Sequence, residues 1–163
     1  MMEWHIAPGY ERVKELERLF ADYTRMLLDG EPEMARYLDQ QGYQWEVAHL
    51  EEKYGGPRGR LYVALVDERV VGSIALRPMD DDRAELKRLY VLPEMRGCGI
   101  ARALTQRVLD EAVDIGYRQV LLDTLPFLTE AISLYESIGF CRTEKYNDSP
   151  LPAEKNYFYS LDL

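Results

Sequence analysis

The chain has 163 residues, 47% hydrophobic and 30% charged, which is enough for one domain, expected over 1–163, with a buried core and no low-complexity tract. Twenty basic residues against 29 acidic ones give a net charge of −9, which disfavours nucleic acid and anionic membrane as partners, and no apolar run is long enough to span a bilayer. Two cysteines, Cys98 and Cys141, and two histidines, His5 and His49, supply neither a disulfide framework nor a metal-ligand set, and Met1 to His5 lacks the regions of a signal peptide, so no metal and a cytoplasmic location are expected.

Val13, Leu16, Phe20, Tyr23 and Leu27 recur at steps of three and four, predicting an amphipathic helix from Tyr10 to Leu28 with its apolar stripe on a sheet. After Asp29-Gly30-Glu31-Pro32 the pattern weakens, and a second helical piece is expected between Glu33 and Tyr54, ended by Gly55-Gly56-Pro57. Leu61 to Val66 and Val70 to Leu76 are β-branched and apolar runs separated by Asp67-Glu68-Arg69, the composition of a hairpin, and Ala84 to Val91 reads as the next strand. From Ile100, the residues Ala101, Leu104, Val108, Ala112 and Ile115 trace a helical core face that stops at Gly116. Val120 to Leu122 reads as a short buried strand, Leu125-Pro126 as a break, Ala131 to Ser137 as a helix closed by Gly139, and Tyr157 to Leu163 as a final strand. Strands followed by helix, strand, helix and strand argue for an α/β (α+β) domain, a mixed sheet with helices on both faces.

Chemistry concentrates where the strand Leu86 to Val91 runs through a tight turn, Leu92-Pro93-Glu94-Met95-Arg96-Gly97-Cys98-Gly99, into the helix at Ile100. A helix leaves its first four N–H groups unpaired and carries partial positive charge there, so main chain alone can hold phosphate oxygens. Gly97 and Gly99 let the backbone approach, and Arg96 adds a planar fork of donors suited to a pyrophosphate. A dinucleotide-binding fingerprint would need glycine where Arg102 stands, and a P-loop would need Gly-Lys-Ser or Gly-Lys-Thr, which is absent.

What remains, R-G-x-G-[IL]-[AG] after a strand ending L-Y-V-x-P, resembles the acetyl-coenzyme A site of the GNAT superfamily of N-acetyltransferases. Downstream, Ala131-Ile132-Ser133-Leu134-Tyr135-Glu136-Ser137-Ile138-Gly139-Phe140 resembles the A-x-x-L-Y-x-x-x-G-F element of the same family. The resemblance implies a sheet of about six to seven strands and direct acetyl transfer from acetyl-coenzyme A to an amine within a ternary complex. It also implies that the backbone of Leu89, Tyr90 and Val91 pairs with the pantetheine arm like an added strand, with an amide there facing the thioester oxygen. The amides of Gly97, Cys98, Gly99, Ile100 and Ala101, with the side chains of Arg96 and Arg102, would hold the pyrophosphate; Cys98 occupies a variable position between the glycines. Tyr135 matches the residue that protonates or hydrogen-bonds the departing sulfur. Where the family often places asparagine against the pantetheine arm, this chain has Leu128.

A lysine-type amine is neutral about once in 2,500 at pH 7, so its deprotonation costs about 4.6 kcal/mol and a base matters. Glu85 is the leading base: it shares a strand face with Lys87, Leu89 and Val91 by the period-two rule and coincides with the catalytic glutamate of some members of the family. The alternative is a strand carboxylate paired with Lys87 or a nearby arginine. Tyr37, Tyr43, Trp45 and Tyr54 lie in the segment that borders the acceptor pocket in such folds and read mainly as packing, and Tyr146-Asn147-Asp148-Ser149-Pro150-Leu151-Pro152 is a turn-rich loop placed to line its mouth. Arg77, Lys87 and Arg88 could receive an acceptor carboxylate or neutralise Asp80, Asp81, Asp82 and Glu85. The acceptor is expected to be a small-molecule primary amine, such as an amino acid. The alternatives are a protein lysine or N-terminal acetyltransferase and a coenzyme A-binding sensor without turnover. The alternating Tyr157, Tyr159, Leu161 and Leu163 suit a buried strand or a homodimer interface.

Overall fold

The computed structural model describes residues 2–163. The chain runs β1 (His5–Pro8), α1 (Val13–Gly30), α2 (Met34–Gln40), α3 (Tyr43–Ala48), α4 (Leu50–Tyr54), β2 (Arg60–Val66), β3 (Arg69–Pro78) and β4 (Arg83–Val91). It continues through α5 (Ile100–Ile115), β5 (Gln119–Thr124), α6 (Thr129–Ile138), β6 (Cys141–Arg142) and β7 (Tyr157–Asp162). The strands form one seven-stranded sheet in the order β1-β2-β3-β4-β5-β7-β6. Every neighbouring pair is antiparallel except β4 with β5, which are parallel and joined by the crossover through α5.

Helices cover both faces, as strand alternation on β2 demonstrates. A side chain at Gly9 would meet Leu61, Val63 and, from α1, Leu16. Tyr62, which lies between Leu61 and Val63, instead has the Arg107 guanidinium of α5 4.7 Å from its ring centroid. Successive strand residues point to opposite faces, so α1 and α5 lie on opposite sides of the sheet. Leu16, Phe20 and Leu27 of α1 and Leu104, Val108 and Ala112 of α5 are fully buried, each large side chain contributing about 1.5–3 kcal/mol on removal from water. Val13, the first residue of the apolar stripe, is exposed because the helix begins there, three residues later than its pattern predicts.

The single helical piece expected between Glu33 and Tyr54 is three short helices. Gly42, with φ +70°, turns the chain between α2 and α3, and His49 ends α3 and starts α4. Tyr37 and Tyr54 are buried, whereas Trp45 is exposed and stacks on His49. A second, smaller apolar cluster of Leu27, Met34, Tyr37, Leu38, Leu125 and Leu151 ties α2 to the ends of α1 and β5. The strands β1 and β6 carry no periodic signal, being four and two residues long, and exist only by pairing with β2 and β7. Among the described residues no helix is long and apolar enough to cross a membrane, and no cluster of three His, Cys, Asp or Glu side chains could hold a metal ion.

Candidate active site

The site begins with an irregularity in β4. Tyr90 pairs with Ser73 and Lys87 with Ala75, so three steps along β4 match two along β3. The extra residue is absorbed at Arg88, whose φ of +59° is left-handed, and the Ser73 hydroxyl donates to the Arg88 carbonyl at 2.8 Å. Glu85 and Lys87 keep the period-two relation, with charged ends 3.7 Å apart, but the bulge interrupts it before Leu89 and Val91.

On its other side β4 pairs with β5 only over Arg83 to Glu85. Beyond that point the two strands part and leave the edge of β4 from Leu86 to Val91 without a strand partner. A cavity of about 530 Å³ occupies the gap, lined by Leu86 to Val91, the turn from Met95, the first turn of α5, and Leu128, Ala131, Leu134 and Tyr135 around α6. An unpaired strand edge along an apolar slot is built to accept an extended ligand through main-chain hydrogen bonds.

At one end of this cleft is the turn into α5. Gly97 and Gly99 have φ of +78° and +83°, a conformation that L side chains rarely adopt, and Gly99 caps the helix. Ala103 gives the first helical N–H to the Gly99 carbonyl at 3.1 Å, so the amides of Ile100, Ala101 and Arg102 stay unclaimed by the helix. Arg96 and Arg102 are exposed beside them, Arg96 anchored through Nε to the Val91 carbonyl at 3.0 Å and Arg102 to Ser137 Oγ at 2.8 Å. Each anchor leaves guanidinium donors free for an anion, which adds charge to the helix-terminal field. Cys98 is exposed on the same turn.

Tyr135 lies deeper, on α6. The chain reverses at Gly139, with φ +122°, and its N–H and that of Phe140 return to the Tyr135 carbonyl at 3.2 and 3.0 Å. Phe140 then packs edge-on against the Tyr135 ring at 5.8 Å, which orients the ring. The phenol is pushed well up, first by burial and then by Tyr23 and Asp123, and so stays protonated. Its hydroxyl makes no hydrogen bond among the described residues, although the side chain lines the cleft.

The inner end is polar. Lys87 Nζ donates to Gln41 Oε1 at 2.8 Å. Arg88 grips buried Glu46 with two bonds of 2.6 and 2.8 Å and reaches the same Gln41 oxygen at 3.2 Å. Lys53 completes the pairing of Glu46. Lys87, buried and lining the cleft, is lowered by burial to about 8, against the upward pull of Glu85. Across from it, Asp123 of β5 also lines the cleft and accepts at Oδ2 from the Tyr37 hydroxyl at 2.7 Å and from Asn156 Nδ2 at 3.2 Å.

Glu85 is placed differently from its expected role. It is buried, its Oε1 accepts from Arg77 Nε at 2.7 Å, its Oε2 accepts from the Tyr146 hydroxyl, and it is not among the residues lining the cleft. Burial, the largest influence, raises its carboxyl, but Lys87, Arg77 and the bond from Tyr146 together hold it below the usual range. Arg77, Lys87 and Arg88 thus meet Glu85, Gln41 and Glu46, whereas Asp80 pairs with Arg83. The loop after Tyr146 closes over this end, where Asn147 Nδ2 donates to the Tyr37 hydroxyl at 2.7 Å and Gln40 Nε2 to the Asp148 carbonyl at 2.6 Å.

Sequence reasoning did not single out Gln41, Asp123 and Asn156, which line the cleft, or Glu46, which holds Arg88 behind it. Only Asp123 had a signal: a carboxylate at the carboxyl end of the buried run Val120-Leu121-Leu122, where open α/β sheets place their ligands.

Comparison with known proteins agrees with this geometry. Residues 13–140 match the model of the acetyltransferase (GNAT) family. An uncharacterized N-acetyltransferase of Schizosaccharomyces pombe is 35% identical over 134 residues, covering 80% of this chain and 82% of its own. The N-acetylaspartate synthetase of Danio rerio is 38% identical over 109 residues, covering 66% of this chain but 39% of that protein. Among solved structures, the PaiA N-acetyltransferase of Thermoplasma acidophilum in complex with coenzyme A superposes with a TM-score of 0.76 at 16% identity, covering 99% of this chain and 100% of that one.

Proposed function

Because the chain belongs to the acetyltransferase (GNAT) family and is an N-acetyltransferase, we propose that it transfers the acetyl group of acetyl-coenzyme A to the primary amine of a small molecule that also carries an acidic group, an amino acid above all. The observation that carries this reading is Lys87: a buried cation at the inner end of the cleft that lies 3.7 Å from Glu85, spends one hydrogen-bond donor on Gln41 and keeps others to spare. A buried ammonium with unspent donors favours an anionic group in its acceptor. The name of the N-acetylaspartate synthetases, whose length this chain spans to less than half, supports the same class of acceptor.

Acetyl-coenzyme A fits the residues present and supplies, when bound, an activated acyl group on a thioester whose sulfur departs as a thiolate. The free edge of β4 at Leu89, Tyr90 and Val91 would hold its pantetheine arm. The amides from Gly97 to Ala101, with Arg96 and Arg102, would hold its phosphates, and Leu128 offers apolar contact on the opposite wall. Tyr135 Oη, kept protonated by burial and unspent on any other bond, holds the proton destined for sulfur. Water exclusion by Met26, Leu27 and Leu134 strengthens each of these polar interactions.

The test is a thiol-release assay with acetyl-coenzyme A against amino acids, their decarboxylated amines, polyamines, aminoglycosides and lysine peptides. A kcat/KM at least about tenfold higher for an amino acid than for its decarboxylated amine is expected, with Lys87→Gln erasing the preference. Equal rates on the two, or turnover confined to polyamines or peptides, would overturn the acidic-acceptor reading.

A further inference from the structure

Two acceptor atoms at the inner end of the cleft, Asn156 Oδ1 and Asp123 Oδ1, take no hydrogen bond among the described residues, and their side chains are joined by the bond from Asn156 Nδ2 to Asp123 Oδ2. Asn156 is 2% exposed, and its Oδ1 is buried without any hydrogen-bond partner. The orientation of that amide follows from its surroundings, since Nδ2 donates to Asp123 Oδ2 at 3.2 Å and to the Thr124 carbonyl at 3.3 Å. A flipped amide would set oxygen against both oxygens. Asp123 places both of its internal bonds, from Tyr37 and Asn156, on Oδ2, and its Oδ1 accepts none among the described residues. Leaving a buried acceptor such as Asn156 Oδ1 unpaired costs about 1–3 kcal/mol, so it points to a missing donor, and the half-buried Asp123 carboxylate lines the same cleft.

Resting on the transferase reading above, we propose that Asp123 and Asn156 Oδ1 form the seat of the acceptor's ammonium, and that Asp123 is the base that takes its proton. An ammonium is the donor this pair lacks, offering several N–H groups and a charge opposite to that of Asp123. With Lys87 lining the same cleft, a molecule bearing both an ammonium and a carboxylate meets a fixed group of opposite sign at each end. The step balances as follows. The ammonium gives one proton to the Asp123 carboxylate, the freed nitrogen lone pair forms the C–N bond to the acetyl carbon, and the C–S bond breaks. The sulfur takes the Tyr135 proton, Tyr135 recovers a proton from the newly acylated nitrogen, and Asp123 releases its own to solvent.

Glu85 is less suited to this task because both of its oxygens are occupied by Arg77 and Tyr146. The titratable groups around Asp123 are Lys87 and Glu85 from β4, Tyr37 from α2, Tyr23 from α1, Tyr135 from α6 and Tyr146 from the closing loop. The four tyrosines stay neutral, so the charged neighbours are Lys87 and Glu85, the latter already bonded to Arg77 and Tyr146.

The experiment compares the wild-type chain with Asp123→Asn and Asp123→Glu. Asp123→Asn should lower kcat/KM for the amine at least about 100-fold at pH 7, and the deficit should shrink as pH approaches the amine's own pKa. Calorimetric affinity for acetyl-coenzyme A should stay within about twofold, and Asp123→Glu should restore part of the rate. Independently of any variant, coenzyme A-loaded wild-type chain should bind the amine at least about tenfold more tightly than the analogue with hydroxyl in place of the amine. Equal binding of amine and hydroxyl analogue overturns the seat. Turnover by the wild type with an unchanged Asp123→Asn profile overturns the base while leaving the transferase intact. Absence of turnover by the wild type on every amine overturns both readings.

Discussion

Replacing Glu46 by alanine removes the carboxylate that neutralises the cation at the β4 bulge. Glu46 has no exposed surface, accepts from Arg88 at 2.6 and 2.8 Å, and is also paired with Lys53. Arg88 is 4% exposed and keeps one other side-chain bond, to Gln41 at 3.2 Å, so in the variant its charge remains buried and nearly unpaired. Breaking one partner of a buried ion pair costs about 3–5 kcal/mol. With a urea m-value of about 2 kcal/mol per M, the midpoint should fall by about 1.5–2.5 M. The pH dependence has a definite sign. Burial raises the Glu46 carboxyl, but the charges and hydrogen bonds of Arg88 and Lys53 outweigh it and hold the group at about 2. A depressed carboxylate contributes stability that is complete above its ordinary pKa of about 4.5 and is lost as pH falls toward 2. The gap between wild type and Glu46→Ala should therefore be widest near neutrality and narrow below pH 4.5. Urea titrations at a series of pH values measure it directly. A loss under about 1 kcal/mol at pH 7, or a gap that widens on acidification, would refute the argument that this pair anchors the bulge.

Tyr135→Phe should cut kcat about 10- to 100-fold with KM for acetyl-coenzyme A within about twofold; because the lost hydroxyl makes no hydrogen bond among the described residues, the melting temperature should hardly move, and a large fall would mark the residue as structural. Gly99→Ala has room for its methyl but must adopt φ +83°, so it should lose about 1 kcal/mol of stability and weaken acetyl-coenzyme A about tenfold by calorimetry; unchanged affinity would remove this turn from the site. The charge on Lys87, lowered by burial to about 8, is lost as pH rises through that value. The KM of an acidic acceptor should accordingly rise above about pH 8 while that of acetyl-coenzyme A stays flat, and a KM that only falls as the amine deprotonates would refute the anchoring role.

The site was legible in unequal parts, and Glu85 illustrates the limit. Its alternation with Lys87 was read correctly, since the two charged ends are 3.7 Å apart. Alternation cannot tell which carboxylates face a cleft, because that depends on where β4 and β5 part and on the bulge at Arg88. Gln41, Glu46 and Asn156 sit in irregular or short helical segments whose local pattern says nothing about their partners on β4 and β5.

Local physical chemistry is what the sequence determined by itself. The glycine-arginine turn, the periodic faces of α1 and α5 and the hairpin follow from backbone preference and periodicity within a few neighbouring residues, and Tyr135 from the resemblance of its local motif to a family element, so all could be read in order along the chain. Tertiary structure alone decided the rest. The strands β1 and β6 are too short to declare themselves and exist because a neighbour supplies their hydrogen bonds. The bulge expresses a register mismatch between two strands, and the opposed polar groups of the inner cleft come from elements as far apart as Gln41 and Asn156. Pairing between residues distant in sequence depends on which surfaces the whole fold brings together, and no local pattern carries that information.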